Sequence, residues 1–392
     1  MAGKLSPEDL DEVQSAFETG NLASAIAKAQ EKMASLETVT LNIAITGESG
    51  AGKSSFVNAI RGVDDEDAEA AKTGVVETTK HPQPYPNPLL PSVTIWDLPG
   101  IGTRSFQADT YLTQVDFNRY DFFIIVSAER FTSHHTMLAQ AIHRMGKKFY
   151  YVRSKVDLAL HAAATRRPST YNEERILQEI REDCIKNLKC AGEPSPSVFL
   201  ISNWKLDAYD FPLLRETLEN ELEPHKKHAF ILSLSNISAA ILEKKKAALK
   251  KEIWILALLS GGISAIPVPG LSFACDVAIL LINMKRYLTV FGLDDKSLTR
   301  LARQAHKPIA ELKSVIKAVP MANSLSEKFI MSQLSRSVCT GLMMAEDVLD
   351  FIPIVGSLLS GALSFGTTYY MLNSFLNDAA RDAQNVLAKA LS

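Results

Sequence analysis

Residues 45–62 read ITGESGAGKSSFVNAIRG, a glycine-rich loop set between a run of apolar β-formers and the opening of a helical pattern. The stretch fits G-x-x-x-x-G-K-[ST], with Gly47, Gly52, Lys53 and Ser54 in register. Such a loop constrains the fold strongly. It turns several backbone N–H groups toward one point, and the helix that follows adds a positive partial charge there. A strand before and a helix after are therefore expected, with Gly47, Glu48, Ser49, Gly50, Ala51, Gly52, Lys53, Ser54 and Ser55 around a phosphate. Lys53 can reach the β- and γ-phosphates, and Ser54 can ligate Mg²⁺. The competing reading is a tight turn carrying a solvent lysine, which the strand–loop–helix context disfavours.

The rest of the chain supplies companions. Apolar strands are expected at residues 41–46, 92–96, 121–126, 148–152 and 197–201, with helical segments between several of them. That alternation argues for a mainly parallel α/β sheet over residues 39–224. WDLPG, residues 96–100, ends one of the strands. Asp97 can hold magnesium through water, and the Gly100 N–H can meet a γ-phosphate. RSKVD, residues 153–157, follows another strand. Asp157 can accept hydrogen bonds from the guanine ring N–H and 2-amino group, a donor pair adenine lacks, and the Lys155 stem can lie over the base. Ser154 stands where Asn or Thr is usual and is expected to function with looser packing. Ser202 and Asn203 follow the strand at 197–201, where a backbone N–H can contact guanine O6. Each piece lies at a strand's C-terminal end, where α/β sheets bind ligands.

The hydrolytic group is less legible. A glutamine that orients water would directly follow Gly100, and this chain has Ile101. KTGVVETTKH, residues 72–81, is the candidate first switch. Its Thr73, Thr78 and Thr79 are possible Mg²⁺ ligands. Glu77 is its only carboxylate, and residue type alone favours a solvated loop acid.

These strings resemble the immunity-related (interferon-inducible) GTPases over nearly the whole chain. The match includes GESGAGKSSFVNAIRG, TGVVETT, VTIWDLPGIGT, YDFFIIVSAERF, GKKFYYVRSKVD, YDFPLL, the Ile-Trp of KKEIW and FGLDDKSLTRLA. The loop resembles the GKS type. IPVPG, with Met1-Ala2 in place of Met-Gly, is closer to the branch called cinema and its fish relatives. The resemblance implies a Ras-like P-loop GTPase domain joined to an all-α helical domain built from both termini, residues 1–38 and 225–392. It implies GTP and GDP as ligands with Mg²⁺, and a homo-oligomer formed through nucleotide-facing G domains. It also gives Glu77 a part in hydrolysis, against the reading from residue type, and maps the switch threonine onto Thr79.

Composition limits the partners. A net charge of −2 gives no pull toward nucleic acid. Cys184, Cys190, Cys275 and Cys339 lack zinc or disulfide spacing and are expected as cytosolic thiols. MAGKLSPEDL lacks the apolar core of a signal peptide, and no myristoylation is expected. Residues 6–36 carry helical periodicity through Leu10, Val13, Phe17, Leu22, Ile26, Ala29 and Met33, with a break expected at Gly20-Asn21. Residues 266–274 and 352–365 share Ile-Pro-x-x-Gly before small-residue apolar helices, a hint of two related hairpins. The stretches 253–275 and 351–377 are uncharged and long enough to span a bilayer. EKKKAALKKEIW, residues 243–254, places lysines and a tryptophan at one edge, as at a membrane interface. Asp276, Asp347 and Asp350 favour hairpins that stop short of spanning. The expectation is a helical core that binds intracellular membranes peripherally from the cytoplasm; an inserted hairpin and no membrane contact are the alternatives. His134, His135 and His143 are expected at the surface. The competing function is a nucleotide-regulated binding module or structural membrane protein with little turnover, motivated by Ile101 and Ser154.

Overall fold

The computed structural model describes residues 22–74, 79–102, 111–264, 271–334 and 359–392. They fall into two compact units. One is Thr40–Leu222; the other comprises the described parts of Met1–Val39 and Glu223–Ser392.

The first unit is a six-stranded sheet of order β2-β3-β1-β4-β5-β6. Its strands are β1 (Leu41–Gly47), β2 (Gln83–Pro86), β3 (Val93–Asp97), β4 (Phe122–Ser127), β5 (Phe149–Arg153) and β6 (Val198–Leu200). All pairs are parallel except β2 with β3. β2 was not expected. Its sequence, QPYP, carries two prolines, which cannot donate to a ladder and survive only on an edge strand such as this one. β1, β4 and β5 are almost wholly apolar because helices cover both faces of a parallel sheet.

β1 lies between β3 and β4, so the chain leaves its C-terminal end at the topological switch point of the sheet. Helix α1 (Leu22–Thr38) precedes it, and α2 (Lys53–Arg61) follows the glycine loop. α2 ends at Gly62, whose φ of 66° lets its N–H reach the carbonyls of Asn58 and Ala59. Around the sheet stand α3 (Ser133–Arg144), α4 (Val156–Arg166), α5 (Glu173–Cys190) and α6 (Phe211–Glu221). From α2, the buried Asn58 reaches the segment that follows: it donates to Asp65 Oδ1 and Ala71 O and accepts from Ala71 N–H. This reciprocal pairing pins the segment that leads into residues 72–81.

The second unit is helical among its described residues. α7 (Pro224–Ser233), α8 (Ala239–Ser264), α9 (Leu271–Val290), α10 (Asp295–Gln304) and α11 (Leu359–Leu391) are its main elements, with α1 against α8. Ala29 of α1 is fully buried with Ile255 and Leu258 of α8, and Met33, Trp254 and Phe365 pack against them. Among the described residues no helix is long and apolar enough to cross a membrane. Leu10, Val13, Phe17, the Gly20-Asn21 break and both Ile-Pro-x-x-Gly motifs lie outside the described residues, as do Asp347 and Asp350.

Three ionisable groups in this unit depart from a membrane-edge reading. Lys245, within EKKKAALKKEIW, is fully buried and donates to the Val290 carbonyl at 2.9 Å. That carbonyl ends α9, where the helix offers unpaired oxygens and partial negative charge, and burial holds the lysine pKa well below its usual value. Asp276 is buried too, accepting from Ser260 at 2.5 Å and Ser364 at 2.8 Å. Glu252, 1% exposed, is held by Arg286 and His228. Burial alone would raise its pKa; the Arg286 charge and the His228 hydrogen bond more than offset this and hold it at about 2.

Candidate nucleotide site

The loop after β1 has the shape its glycines require. Gly50 and Gly52 adopt φ of 77° and 86°, the left-handed region that glycine enters freely. Gly47 sits so close to β4 that a Cβ there would lie 2.1 Å from the Val126 carbonyl oxygen. Gly52 caps α2 with no side chain of its own, so the first N–H groups of the helix meet the loop's concavity. Ser49 and Gly50 are exposed, Ala51 is buried, and Ser55 is half-buried. Lys53 is buried, and its Nζ donates to the Glu48 carbonyl at 2.9 Å across the loop.

Asp97, at the end of β3, gathers the expected metal ligands. Ser54 Oγ donates to Asp97 Oδ2 at 2.6 Å, and Thr79 Oγ1 donates to the same oxygen at 2.9 Å. Asp97 Oδ1 is buried and has no hydrogen-bond partner among the described residues. Burial raises the Asp97 pKa; the Lys53 charge and the two hydroxyl hydrogen bonds pull it back only in part. The three residues come from α2, the end of the first-switch segment and β3. All offer hard oxygen donors, the chemistry that suits Mg²⁺. Of the other threonines proposed as ligands, Thr73 instead donates to Asp65 Oδ2 at 3.1 Å, and Thr78 lies outside the described residues with Glu77.

The segment after Asp97 lies directly against the loop. Ile101 N–H donates to the Gly47 carbonyl, and Ile101 bridges Glu48 as in a parallel ladder. A Cβ on Gly100 would come within 2.8 Å of the Ser49 backbone, so only glycine fits there. Ile101 is 2% exposed and belongs to the core, consistent with its having no part in orienting water. Sequence reasoning missed the anchor of this segment. Tyr111, fully buried, donates to the Pro99 carbonyl at 2.8 Å and pairs with Thr46 Oγ1 at 2.8 Å. A lone tyrosine far from any motif gives no signal for this role.

The loops beyond β5 and β6 converge on Gly52. Ser154 is fully buried, and its hydroxyl lies 2.7 Å from Ala51 O and 3.1 Å from Ser127 O. The expected looser packing is absent, because the small hydroxyl fits a tight space and fastens this loop to the phosphate loop. Lys155 adopts φ 56°, which turns its side chain back so that Nζ donates to the Gly50 carbonyl at 2.9 Å. Asp157 stands in the first turn of α4, half-buried. Asn203 donates from Nδ2 to Gly52 O at 3.2 Å, and Ser202 is fully buried beside it.

The histidines correct the expectation of surface residues. His135 is fully buried, and only His143 is well exposed, beside Glu193. His134, partly covered, lies 2.9 Å from Glu48 Oε1 through Nδ1. Their places follow from α3, whose N-terminus abuts the phosphate loop.

A family model described as "Interferon-inducible GTPase (IIGP)" matches residues 6–390. The chain belongs to this family. It is a GTPase. Curated relatives include "Interferon-inducible GTPase 5" of Rattus norvegicus, 47% identical over 99% of this chain and 83% of the relative. "Interferon-gamma-inducible GTPase 10" of Mus musculus is 39% identical over 98% of this chain and 90% of the relative. Among solved structures, Toc33 from Arabidopsis thaliana reaches a TM-score of 0.34 at 15% identity over 45% of this chain and 77% of that one, too slight a likeness to bear on function.

Proposed function

We propose that this GTPase hydrolyses GTP with Mg²⁺, self-assembles through its nucleotide-facing units and acts at intracellular membranes in cell-autonomous immunity. The observation that carries the hydrolytic reading is the meeting of Ser54 and Thr79 on one oxygen of Asp97, while its other oxygen stays buried without a partner among the described residues. In this reading Ser54, Thr79 and Asp97 would hold Mg²⁺, and the ion, when bound, would supply positive charge that favours the transition state of phosphoryl transfer. Lys53 exchanges the Glu48 carbonyl for phosphate oxygens, and the Gly100 N–H meets the γ-phosphate. Ser154, Lys155, Asp157, Ser202 and Asn203 form the guanine side, with Asp157 selecting GTP over ATP. Glu77 takes the part in hydrolysis that Ile101 cannot.

The unit around residues 39–224 would carry catalysis. The flanking helical segments, 1–38 and 225–392, would carry peripheral membrane binding. The relatives, named as interferon-inducible GTPases, support the immune setting. The test is phosphate release from GTP over a range of protein concentrations, with Lys53→Ala and Glu77→Ala beside wild type. Specific activity should climb with concentration and both variants should lose it. A specific activity independent of concentration would refute assembly-driven turnover. Co-sedimentation with vesicles in GTP but not GDP tests membrane action.

A further inference from the structure

Glu48 is the first residue after Gly47, yet its side chain takes no part in the phosphate site. The carboxylate turns toward the start of α3. Thr132 Oγ1 donates to its Oε1 at 2.7 Å, and His134 Nδ1 lies 2.9 Å from the same oxygen. A carboxylate only accepts, so His134 carries its proton on Nδ1. Behind them His135 Nδ1 accepts from the Thr132 backbone N–H at 3.0 Å, which leaves the ring proton on Nε2, a nitrogen 3.9 Å from Glu48 Oε2. Burial of Glu48 would raise its pKa; the hydrogen bonds from His134 and Thr132 outweigh this and keep it below the usual carboxylate range.

The His134 ring also covers the segment after β3. A Cβ on Gly102 would lie 2.6 Å from His134 Cε1, so ring and backbone are in direct contact. Glu48 meets that segment by its own backbone, through the bridge to Ile101. Three chain segments therefore join around Glu48 and His134: the phosphate loop, residues 100–102 and the N-terminus of α3. The Glu48 carbonyl, on the other side of the same residue, holds Lys53.

We propose that His134 is a positioning residue for hydrolysis: by clamping the Glu48 carboxylate and covering Gly102, it fixes the spacing between Lys53 and Gly100 at the γ-phosphate. The inference rests on the reading of Lys53 and Gly100 as γ-phosphate contacts. The clamp lies on the γ-phosphate side, away from the guanine loops that converge on Gly52. Its loss therefore weakens triphosphate handling and spares GDP.

The experiment measures GDP and GTPγS affinities by calorimetry with Mg²⁺, single-turnover hydrolysis of GTP, and thermal unfolding. His134→Ala should keep GDP affinity within about two-fold while GTPγS affinity and the single-turnover rate fall about ten-fold, the scale of one charge-assisted hydrogen bond. His134→Asn, whose amide N–H can reach where Nδ1–H stood, should restore most of the loss. In a Glu48→Ala background, His134→Ala should add little, because the two act as one unit. Equal losses for GDP and GTPγS alongside a lowered Tm would overturn the proposal in favour of a purely structural role, as would no loss at all or an additive double variant. If His134→Ala fails to fold, Glu48→Gln replaces it. Its neutral amide accepts more weakly, and the same selective loss at about three-fold is expected. A wild type whose GTPγS affinity is unmoved by Lys53→Ala would sink the phosphate reading and this inference with it. A failed clamp would leave the Lys53→Ala effect intact.

Discussion

Ser154→Ala tests how the guanine loop is joined to the phosphate loop. The Ser154 hydroxyl is fully buried and has one proton to give, and the nearer acceptor is Ala51 O at 2.7 Å against 3.1 Å for Ser127 O. Alanine removes that proton, makes no large cavity and leaves a loop carbonyl facing apolar atoms. A buried acceptor left without its partner costs about 1–2 kcal/mol. In a unit of this size that lowers Tm by about 2–8 °C. Because Ala51 belongs to the loop proposed to bind phosphate, part of the cost is expected in ligand affinity. At 1.4 kcal/mol per tenfold the whole cost would correspond to about a five- to thirty-fold rise in the Kd for GDP, so the expected rise lies between about two-fold and that ceiling. Titration of a fluorescent GDP analogue and thermal unfolding with and without GDP measure both effects. Ser154→Cys, similar in size and weaker as a donor, should fall between. A Ser154→Ala protein with a Kd within about two-fold of wild type and a Tm within about one degree would refute the coupling.

Further perturbations follow from the same geometry. Gly47→Ala drives a Cβ into the Val126 carbonyl at 2.1 Å with φ at 138°, and should cost about 4 kcal/mol or more, read as loss of the folded nucleotide unit by circular dichroism. Thr79→Ala should raise the Mg²⁺ concentration needed for half-maximal GTPγS binding about ten-fold, whereas Thr73→Ala, whose hydroxyl faces Asp65, should leave it unchanged. Tyr111→Phe unties the Pro99 carbonyl and Thr46, and should destabilise by about 1–2 kcal/mol in urea unfolding. Glu252, held at about 2 against an unfolded value of 4.5, contributes stability that is complete above pH 4.5 and declines as pH falls toward 2. Arg286→Met should remove about 3 kcal/mol at pH 7 and flatten that acid dependence, because it leaves a buried carboxylate short of its charge partner.

Much of the candidate nucleotide site is readable from residue order alone. A glycine loop between a strand and a helix, an Asp-Leu-Pro-Gly at a strand end and a Ser-Lys-Val-Asp after another strand are local patterns, and each needs only its neighbours to define its shape. Gly47, Lys53, Ser54 and Asp97 belong to this class, as do the apolar runs of β1, β4 and β5. What the sequence could not rank were residues whose partners lie far along the chain. Thr73 and Thr79 are both threonines of one switch segment, and only the fold brings Thr79 to Asp97, 18 residues on, while Thr73 turns back to Asp65. Tyr111, 65 residues from Thr46, carries no motif at all. His134 and His135 read as surface residues until α3 is placed beside the phosphate loop. Lys245 and Asp276 read as the polar edges of apolar stretches, and the fold buries them because a helix-end carbonyl and two serine hydroxyls from other helices satisfy them. Backbone shape follows from nearby residues, through φ, hydrogen-bond spacing and hydrophobic period. Hydrogen-bond partnership between side chains is decided where distant segments meet, because a buried polar group must be satisfied by whatever the tertiary structure sets within about 3 Å of it.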